Sequence, residues 1–347
     1  MRSTSTFLLP LCLLAAGIPS AAACRAADTG KPAYTDPAKT DADFPFQGEY
    51  DGTFVGTVDG KPLQETIGAQ VVALGDGQFS VTCCRGGLPT KGSWKNEDPT
   101  RCSGTRTGDT VAVEGLDWFG VPLRGVIDGS TLKVLTGDGT FDVGAVLRKT
   151  SGVPFNTTML PPGAVVLCDG PGPVDETETF IDARLADDGL LMPGATTRQE
   201  FGDALWHVDF RLPYQPFDRG QARGNSGIYL HGCYEVQVLD SFGAATGIDR
   251  CGAIYGVAAP KMNMCRAPLT WQSYEIDFTA PRFEAGKKVK NARVTVRHAG
   301  RVIHEDVEIP SPTRASPRKE EAPTGPLHLQ DHGNPVRYGT IWVLPKK

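Results

Sequence analysis

The chain of 347 residues has no excess of positive charge. Its 35 Lys and Arg are outnumbered by 40 Asp and Glu, for a formal net charge of −5. No basic field is present that could hold a nucleic acid by its phosphates. It has no Cys-x-x-Cys pair, so the usual signature of a structural zinc site is missing. No apolar run reaches the about 20 residues that a membrane-spanning helix requires. Between Tyr50 and Pro345 there is no long apolar stripe of 3.6-residue period, which leaves room for one or two short helical turns at most.

Glycine is what the chain has in plenty: 41 residues, against a usual share of roughly 7%. These glycines sit in short spacings between runs of Val, Ile, Thr, Phe and Tyr, the punctuation of turns between strands. The expected fold class is all-β.

The N-terminus reads as a targeting segment, with Arg2 ahead of the apolar stretch Phe7–Ala16 and the small residues Ala21, Ala22 and Ala23 as a cleavage site. The mature chain would then begin at Cys24. A lipid anchor at Cys24 and plain cleavage both remain open, and either makes the protein secreted or periplasmic. An oxidising compartment turns the cysteines into disulfide candidates. Cys251 and Cys265 bracket a Gly- and Pro-containing loop and are expected to pair, while Cys83 or Cys84 can reach Cys102. Seven cysteines follow Cys24, so one thiol at least is left over.

Residues 1–23 are the signal segment and 24–43 a polar linker. Residues 44–150 are a small antiparallel β domain, a sheet or open barrel, with strands at 48–58, 67–74, 78–83, 110–114, 121–127, 131–135 and 140–147. Its turns are Gly75-Asp76-Gly77, Asp128-Gly129 and Gly137-Asp138-Gly139. A connector at 151–162 leads to a second domain, 163–347. Strands are expected there at 164–167, 204–212, 226–231, 234–239, 273–278, 292–298, 302–309 and 337–344, which fits a two-sheet jelly roll. Residues 310–325 read as a charged, mobile loop. Alternation in Tyr274-Glu275-Ile276-Asp277-Phe278 turns Glu275 and Asp277 to solvent.

The most informative run is 224–241, a hairpin with its turn near Gly232. A three-residue turn at 232–234 sets His231 opposite Glu235 and Tyr229 opposite Gln237. Asn225 then shares their face, with Ile228, Leu230, Val236 and Val238 on the core side. An amide, a phenol, an imidazole, a carboxylate and a second amide on one face make a surface suited to a polyol. A solvated outer face is the plain alternative. Asp240 has the opposite parity and reaches this face only through a bulge or from the strand end.

Four motifs of this chain resemble the 3-keto-disaccharide hydrolase family. They are the Asn225-Ser226-Gly227-Ile228-Tyr229 and Tyr234-Glu235-Val236-Gln237-Val238-Leu239-Asp240 hairpin, Cys251-Gly252-Ala253-Ile254-Tyr255, Trp271–Ile276, and Gly325–Gly333. The likeness covers Ala164–Pro345 and leaves out the N-terminal domain. It implies a concanavalin-like jelly-roll sandwich and action on glycosides already oxidised to a ketone at C3. The implied reaction is elimination followed by hydration, which amounts to net hydrolysis.

That chemistry sets requirements the residues can be checked against. The ketone acidifies the proton on C2, a base removes it, and the enolate expels the glycosidic oxygen from C1. A base, a stabiliser of the ketone oxygen and an acid for the leaving group are needed. Glu235, His332, His231 and Asp240 are the proton carriers; Asn225, Tyr229, Gln237 and Gln330 are the binding groups. A divalent metal held by His332, Glu235 or Asp240 could replace the neutral stabilisers. A hydrolase of unmodified glycans would want two carboxylates roughly 5–10 Å apart; Glu235 and Asp240 could serve, but the motif is not the Glu-x-Asp-x-(x)-Glu of the concanavalin-like glucanases. His332 can equally cap a turn, and His298 and His304, flanking the Ala299-Gly300 turn, read as exposed edge residues. A non-catalytic carbohydrate-binding module of the same fold is the competing function.

Overall fold

The computed structural model describes residues 30–58, 61–91, 94, 99–118, 121–136, 144–150, 159–172 and 179–346. The targeting segment, Cys24 and the Gly137-Asp138-Gly139 turn lie outside them. No α-helix occurs among the described residues, whose helical pieces are short 3-10 turns.

The first eight strands form a closed antiparallel barrel rather than an open one. They are β1 (Gly48–Val58), β2 (Lys61–Gly75), β3 (Gln78–Arg85), β4 (Thr100–Thr107), β5 (Thr110–Trp118), β6 (Val121–Asp128), β7 (Thr131–Thr136) and β8 (Gly144–Thr150). Closure comes from β1, which pairs with both β2 and β8. Sequence reasoning missed β4, whose Thr, Ser and Gly give no apolar alternation. The interior is filled by Tyr50, Phe54, Ile67, Val71, Phe79, Val111, Ile127 and Leu147. An eight-stranded barrel is just wide enough to be filled this way.

The rest of the chain is a two-sheet sandwich. One sheet has six strands in the order β19 (Arg301–Ile309), β18 (Ala292–His298), β15 (Trp271–Thr279), β12 (Ala204–Arg211), β21 (Arg337–Pro345) and β9 (Val165–Cys168). The other has five, β10 (Phe180–Ile181), β11 (Thr196–Thr197), β20 (His328–Leu329), β13 (Ser226–Leu230) and β14 (Tyr234–Val238). A small ribbon, β16 (Arg282–Glu284) with β17 (Lys287–Lys290), lies apart from both sheets. Between the sheets lie Trp206, Val208, Phe210, Ile228, Leu230, Val236, Val238, Ile276, Phe278 and Ile341. Each fully buried side chain of this kind stabilises by about 1.5–3 kcal/mol.

The two units interlock. Val72 of β2 belongs to the sandwich core, and Tyr214 of the sandwich belongs to the barrel core. The segment expected to be a free linker is docked. Tyr34 exchanges backbone hydrogen bonds with Tyr214 and stacks on it, and the buried Asp43 takes a 2.6 Å bond from Arg106. An aromatic at 34 and carboxylates matched to Arg106 and to the Tyr214 hydroxyl hold an otherwise polar stretch in place.

His298 and His304 are both buried, contrary to their reading as edge residues. His298 continues the inward parity of Val294 and Val296, packs against Phe210 and Tyr274, and meets Gln272 at 2.8 Å. Burial holds its imidazole down at about 3. A register slip in β19 turns His304 inward, where its Nε2 lies 2.8 Å from the Gly252 carbonyl.

Candidate active site

The β13–β14 hairpin has the expected core face but a different register. Its turn is 231–233, so Tyr229 opposes Glu235 and Gly227 opposes Gln237. Parity survives the shift by one pair, and Tyr229, Glu235 and Gln237 share the face turned away from the core. Gly227 is required here: a Cβ on it would sit 2.2 Å from Glu235 Oε1, in the space the carboxyl occupies. All ten residues of the two strands are buried, so the polar face is not a solvated one.

Two loops border the hairpin. Residues 251–258 lie along β14, with Gln237 N bonded to Ala253 O, Gly252 N to Gln237 O and Tyr255 N to Glu235 O. The segment 310–325, expected to be mobile, packs over the hairpin instead. Thr313 Oγ1 accepts from Glu235 N at 3.0 Å and donates to Cys233 O, and the Arg314 carbonyl accepts from Tyr229 Oη at 3.1 Å. Thr313 and Ser316 are buried, which anchors a loop whose charged residues point outward.

Glu235 is 2% exposed. Its Oε2 accepts a 2.7 Å hydrogen bond from Tyr229. Burial raises its pKa to about 8 and outweighs the opposing effect of that bond. The Tyr229 phenol is pushed far up, by burial first and by the neighbouring carboxylate second.

Around this carboxyl lie neutral groups. Gln330 Nε2 reaches Tyr229 Oη at 3.4 Å, and Gln330 N bonds Gly227 O, which ties its segment to β13. Gln221, on a 3-10 turn (Gly220–Ala222), accepts from Asn225 Nδ2 and from Gln237 Nε2. Asn334 Oδ1 accepts from Asn225 N, so residues 330–334 run beside Gly227, Ser226 and Asn225 in turn. His332 stands in the middle of that run. Two buried polar atoms in this cluster, Asn225 Oδ1 and Gln237 Oε1, have no hydrogen-bond partner, nor has His332 Nδ1 on the 330–334 run. Buried polar atoms are nearly always paired, and a group of orphans beside a neutralised carboxyl is the mark of a site that takes a polar ligand.

Two expected members do not belong. His231 is in the turn itself with φ +55°, and its ring swings to the core side, edge-on to Phe278 at 4.8 Å and near Tyr234. Gly325 packs against its backbone, where any Cβ would clash at 2.6 Å. Burial lowers its pKa. The cause of the error was the turn, placed one residue late. Asp240 is committed elsewhere: its Oδ2 takes a 2.5 Å bond from Arg223 Nε, and its Oδ1 accepts from Phe242 N. Arg223 in turn donates to the Ala73 carbonyl of the barrel. With Asp240 spent, the proposed metal ligands reduce to Glu235 and His332. No group of three or more His, Cys, Asp or Glu side chains able to hold a metal occurs among the described residues. The ligand set does not fit a metal.

Sequence reasoning missed Gln221, Tyr255, Thr313 and Asn334. Tyr255 was within reach, since it ends one of the four quoted motifs; Thr313 lay hidden in a loop read only by its charge. The predicted Cys251–Cys265 disulfide is not formed. The two thiols are near neighbours, as are those of Cys83 and Cys102, and all seven cysteines among the described residues are free. Spacing placed the partners together but did not decide their oxidation state.

The family whose description matches this chain is the 3-keto-alpha-glucoside-1,2-lyase-like domain, over residues 177–344. That is narrower at its start than the likeness read from the motifs. Among solved structures, a candidate glycosyl hydrolase from Parabacteroides distasonis is 31% identical, with 54% of this chain and 85% of that one covered and a TM-score of 0.48. A second candidate glycosyl hydrolase from the same organism is 16% identical over 53% of this chain and 89% of the other, with a TM-score of 0.34. No curated protein matches the chain.

Proposed function

Residues 177–344 of this chain belong to the 3-keto-alpha-glucoside-1,2-lyase-like family, and from that premise we propose that the Glu235 cluster is the active site of a carbohydrate-active enzyme that cleaves 3-keto-glycosides. The observation that carries the reading is the Glu235 carboxyl: 2% exposed, bonded to one phenol, with its pKa raised to about 8. Near neutral pH it is mostly protonated, as an acid for a leaving group must be.

In this reading the roles divide as follows. His332 takes the C2 proton of the substrate. Electron density moves to the C3 oxygen, where Tyr229 Oη and Gln330 Nε2 are the nearest donors. The enolate reforms the ketone, a C1–C2 double bond forms, and the C1–O bond breaks as Glu235 gives its proton to the departing oxygen. Water then adds its oxygen to C1 and a proton returns to C2, so the balance is hydrolysis. Asn225 Oδ1 and Gln237 Oε1 accept from substrate hydroxyls, which satisfies both orphans. A simple binding module would have no use for a carboxyl so far from its ordinary pKa, and this favours catalysis.

The test is incubation of the purified protein with 3-keto-trehalose and, separately, with trehalose. Glucose and 3-keto-glucose are expected from the first and nothing from the second. Equal cleavage of both would remove the keto-dependent elimination. We also infer export, from the Arg2–Ala23 segment; an intact mass beginning at Cys24 in secreted or periplasmic material is expected, and a cytoplasmic chain retaining Met1 would refute it.

A further inference from the structure

A cleft opens on the far side of the sandwich from Glu235. It has a volume of about 700 Å³ and lies between the outer face of the six-stranded sheet and the N-terminal residues 35–39. A slip in the β12–β21 register sets two residues, Gly339 and Thr340, against Asp209 alone. Such bulges open sheets locally, and here the bulge forms the floor of the cleft.

Asp209 is 2% exposed and borders the cleft. Its Oδ1 lies 2.8 Å from His207 Nε2 but outside hydrogen-bond geometry, so a buried carboxylate oxygen remains unsatisfied. The wall beside it is Trp271, with the Arg211 guanidinium 5.2 Å from the ring centre. Arg211 also bonds Asp188 Oδ2 at 3.0 Å, and Arg337 bonds Asp188 Oδ1 at 3.2 Å, which fixes both guanidiniums. The N-terminal wall brings Asp36 and Lys39.

The lining selects the ligand class. Four carboxylates and three cations interleave, so neither sign dominates and a small anion has no advantage. No three-carboxylate cluster exists among the described residues to hold a metal ion. Fixed carboxylates and guanidiniums around an indole suit a neutral polyhydroxylated molecule: its hydroxyls donate to the acids and accept from the cations, and its CH face packs on the ring. The volume falls within the range of small-molecule sites.

We propose that this cleft is a second saccharide-binding site, separate from the catalytic cluster and completed by the N-terminal segment. It rests on its own residues and does not require the reading of Glu235. The core between the sheets divides the two sites, so a sugar held here is a second sugar unit or a separate molecule.

The test uses the full chain with glucose, maltose, cellobiose and trehalose as probes, followed by saturation-transfer NMR and titration. At least one probe should bind in the Glu235→Gln protein as it does in the wild type. Asp209→Asn, which keeps the shape, should weaken that binding by about 10-fold or more, and Thr340→Trp, which fills the cleft, should abolish it. Turnover of 3-keto-trehalose by Asp209→Asn should equal that of the wild type. Absence of binding by all four probes would overturn the proposal, as would binding untouched by Asp209→Asn in a protein of unchanged circular dichroism. Loss of 3-keto-trehalose turnover in the wild type would sink the catalytic reading and leave this one standing.

Discussion

Two antiparallel hairpins in this chain share the same alternation and meet different fates. In the barrel, Val111 and Val113 of β5 point in while Ala112 and Glu114 point out and are exposed. In the sandwich, Ile228, Leu230, Val236 and Val238 point in, yet Tyr229, Glu235 and Gln237 on the other face are buried as well. The barrel hairpin has one neighbour layer and the sandwich hairpin has two. A polar group buried without a partner costs about 1–3 kcal/mol. The barrel keeps few of these; the sandwich hairpin and its neighbours keep Asn225 Oδ1, Gln237 Oε1 and His332 Nδ1 together. Selection against that cost is absent where a ligand completes the bonds.

The sharpest way to break the comparison is Glu235→Gln. Turnover of a 3-keto-glycoside should fall by about 10²-fold or more, the scale of a lost proton donor. Stability gives an independent reading. The folded pKa is about 8, above the ordinary 4.5. Between these values the folded chain keeps the proton and the unfolded chain releases it. The contribution of Glu235 to stability therefore falls as pH rises from about 4.5 to about 8 and is steady on either side. The buried histidines, held neutral in the folded chain, act in the opposite sense and are common to both proteins, so the reading is a difference: between urea melts at pH 5 and pH 8 the wild type should lose on the order of a few kcal/mol relative to the variant. The same pH dependence in both would place the titration elsewhere. The wild-type rate should decline on the alkaline side as pH passes about 8.

Ion pairs extend the contrast. Arg223 and Asp240 are both buried, whereas Lys133 and Asp128 of the barrel are both largely exposed. Arg223→Ala leaves a buried carboxylate alone and should cost about 3–5 kcal/mol in chemical denaturation, while Lys133→Ala should cost about 1 kcal/mol or less. Replacing both partners, as Arg223→Met with Asp240→Leu, should recover most of the loss. If the two alanine variants lose the same amount, the interlock of barrel and sandwich is weaker than its contacts imply.

Thiols offer a milder test. Cys251 and Cys265 touch inside the sandwich, and Cys83 and Cys102 touch inside the barrel. In an oxidising buffer each pair should lose two hydrogens by intact mass, and the bond across 251–265 should add about 3 kcal/mol by the loop-closure account. Unchanged masses after oxidant would show that burial shields both pairs.

Much of the fold was legible because strands announce themselves by period. Every expected sandwich strand formed, since Val, Ile, Phe and Trp alternate there with polar residues between glycine turns. β4 was not legible: Thr, Arg, Ser and Gly carry no alternation, and only the closing of the barrel around them makes a strand. Asn225, Tyr229, Glu235 and Gln237 fall on one face as expected because parity survives a shift of the register by one pair. His231 was lost because parity stops at a turn. A left-handed φ of +55° turned its ring to the opposite side of the sheet. Asp240 was misjudged because its partner, Arg223, is fixed by a barrel carbonyl 150 residues away in sequence.

The smallest expected effect concerns the loop that makes the sandwich hairpin two-layered. Thr313 Oγ1 accepts from Glu235 N and donates to Cys233 O, so one hydroxyl ties residues 310–325 to the strand that carries the proton donor. Thr313→Val keeps the volume and removes both bonds, leaving a buried amide and carbonyl to find other partners. The cost should be about 1–2 kcal/mol in chemical denaturation. Its catalytic consequence should be a modest fall in kcat, because the neighbouring Arg314 carbonyl orients Tyr229, a donor to the developing charge on the C3 oxygen, while Glu235 retains its burial. A raised KM with kcat unchanged would mean that the loop shapes the binding face rather than the reacting groups. No change in either would return residues 310–325 to the role their charge first suggested, a cover with no part in the site.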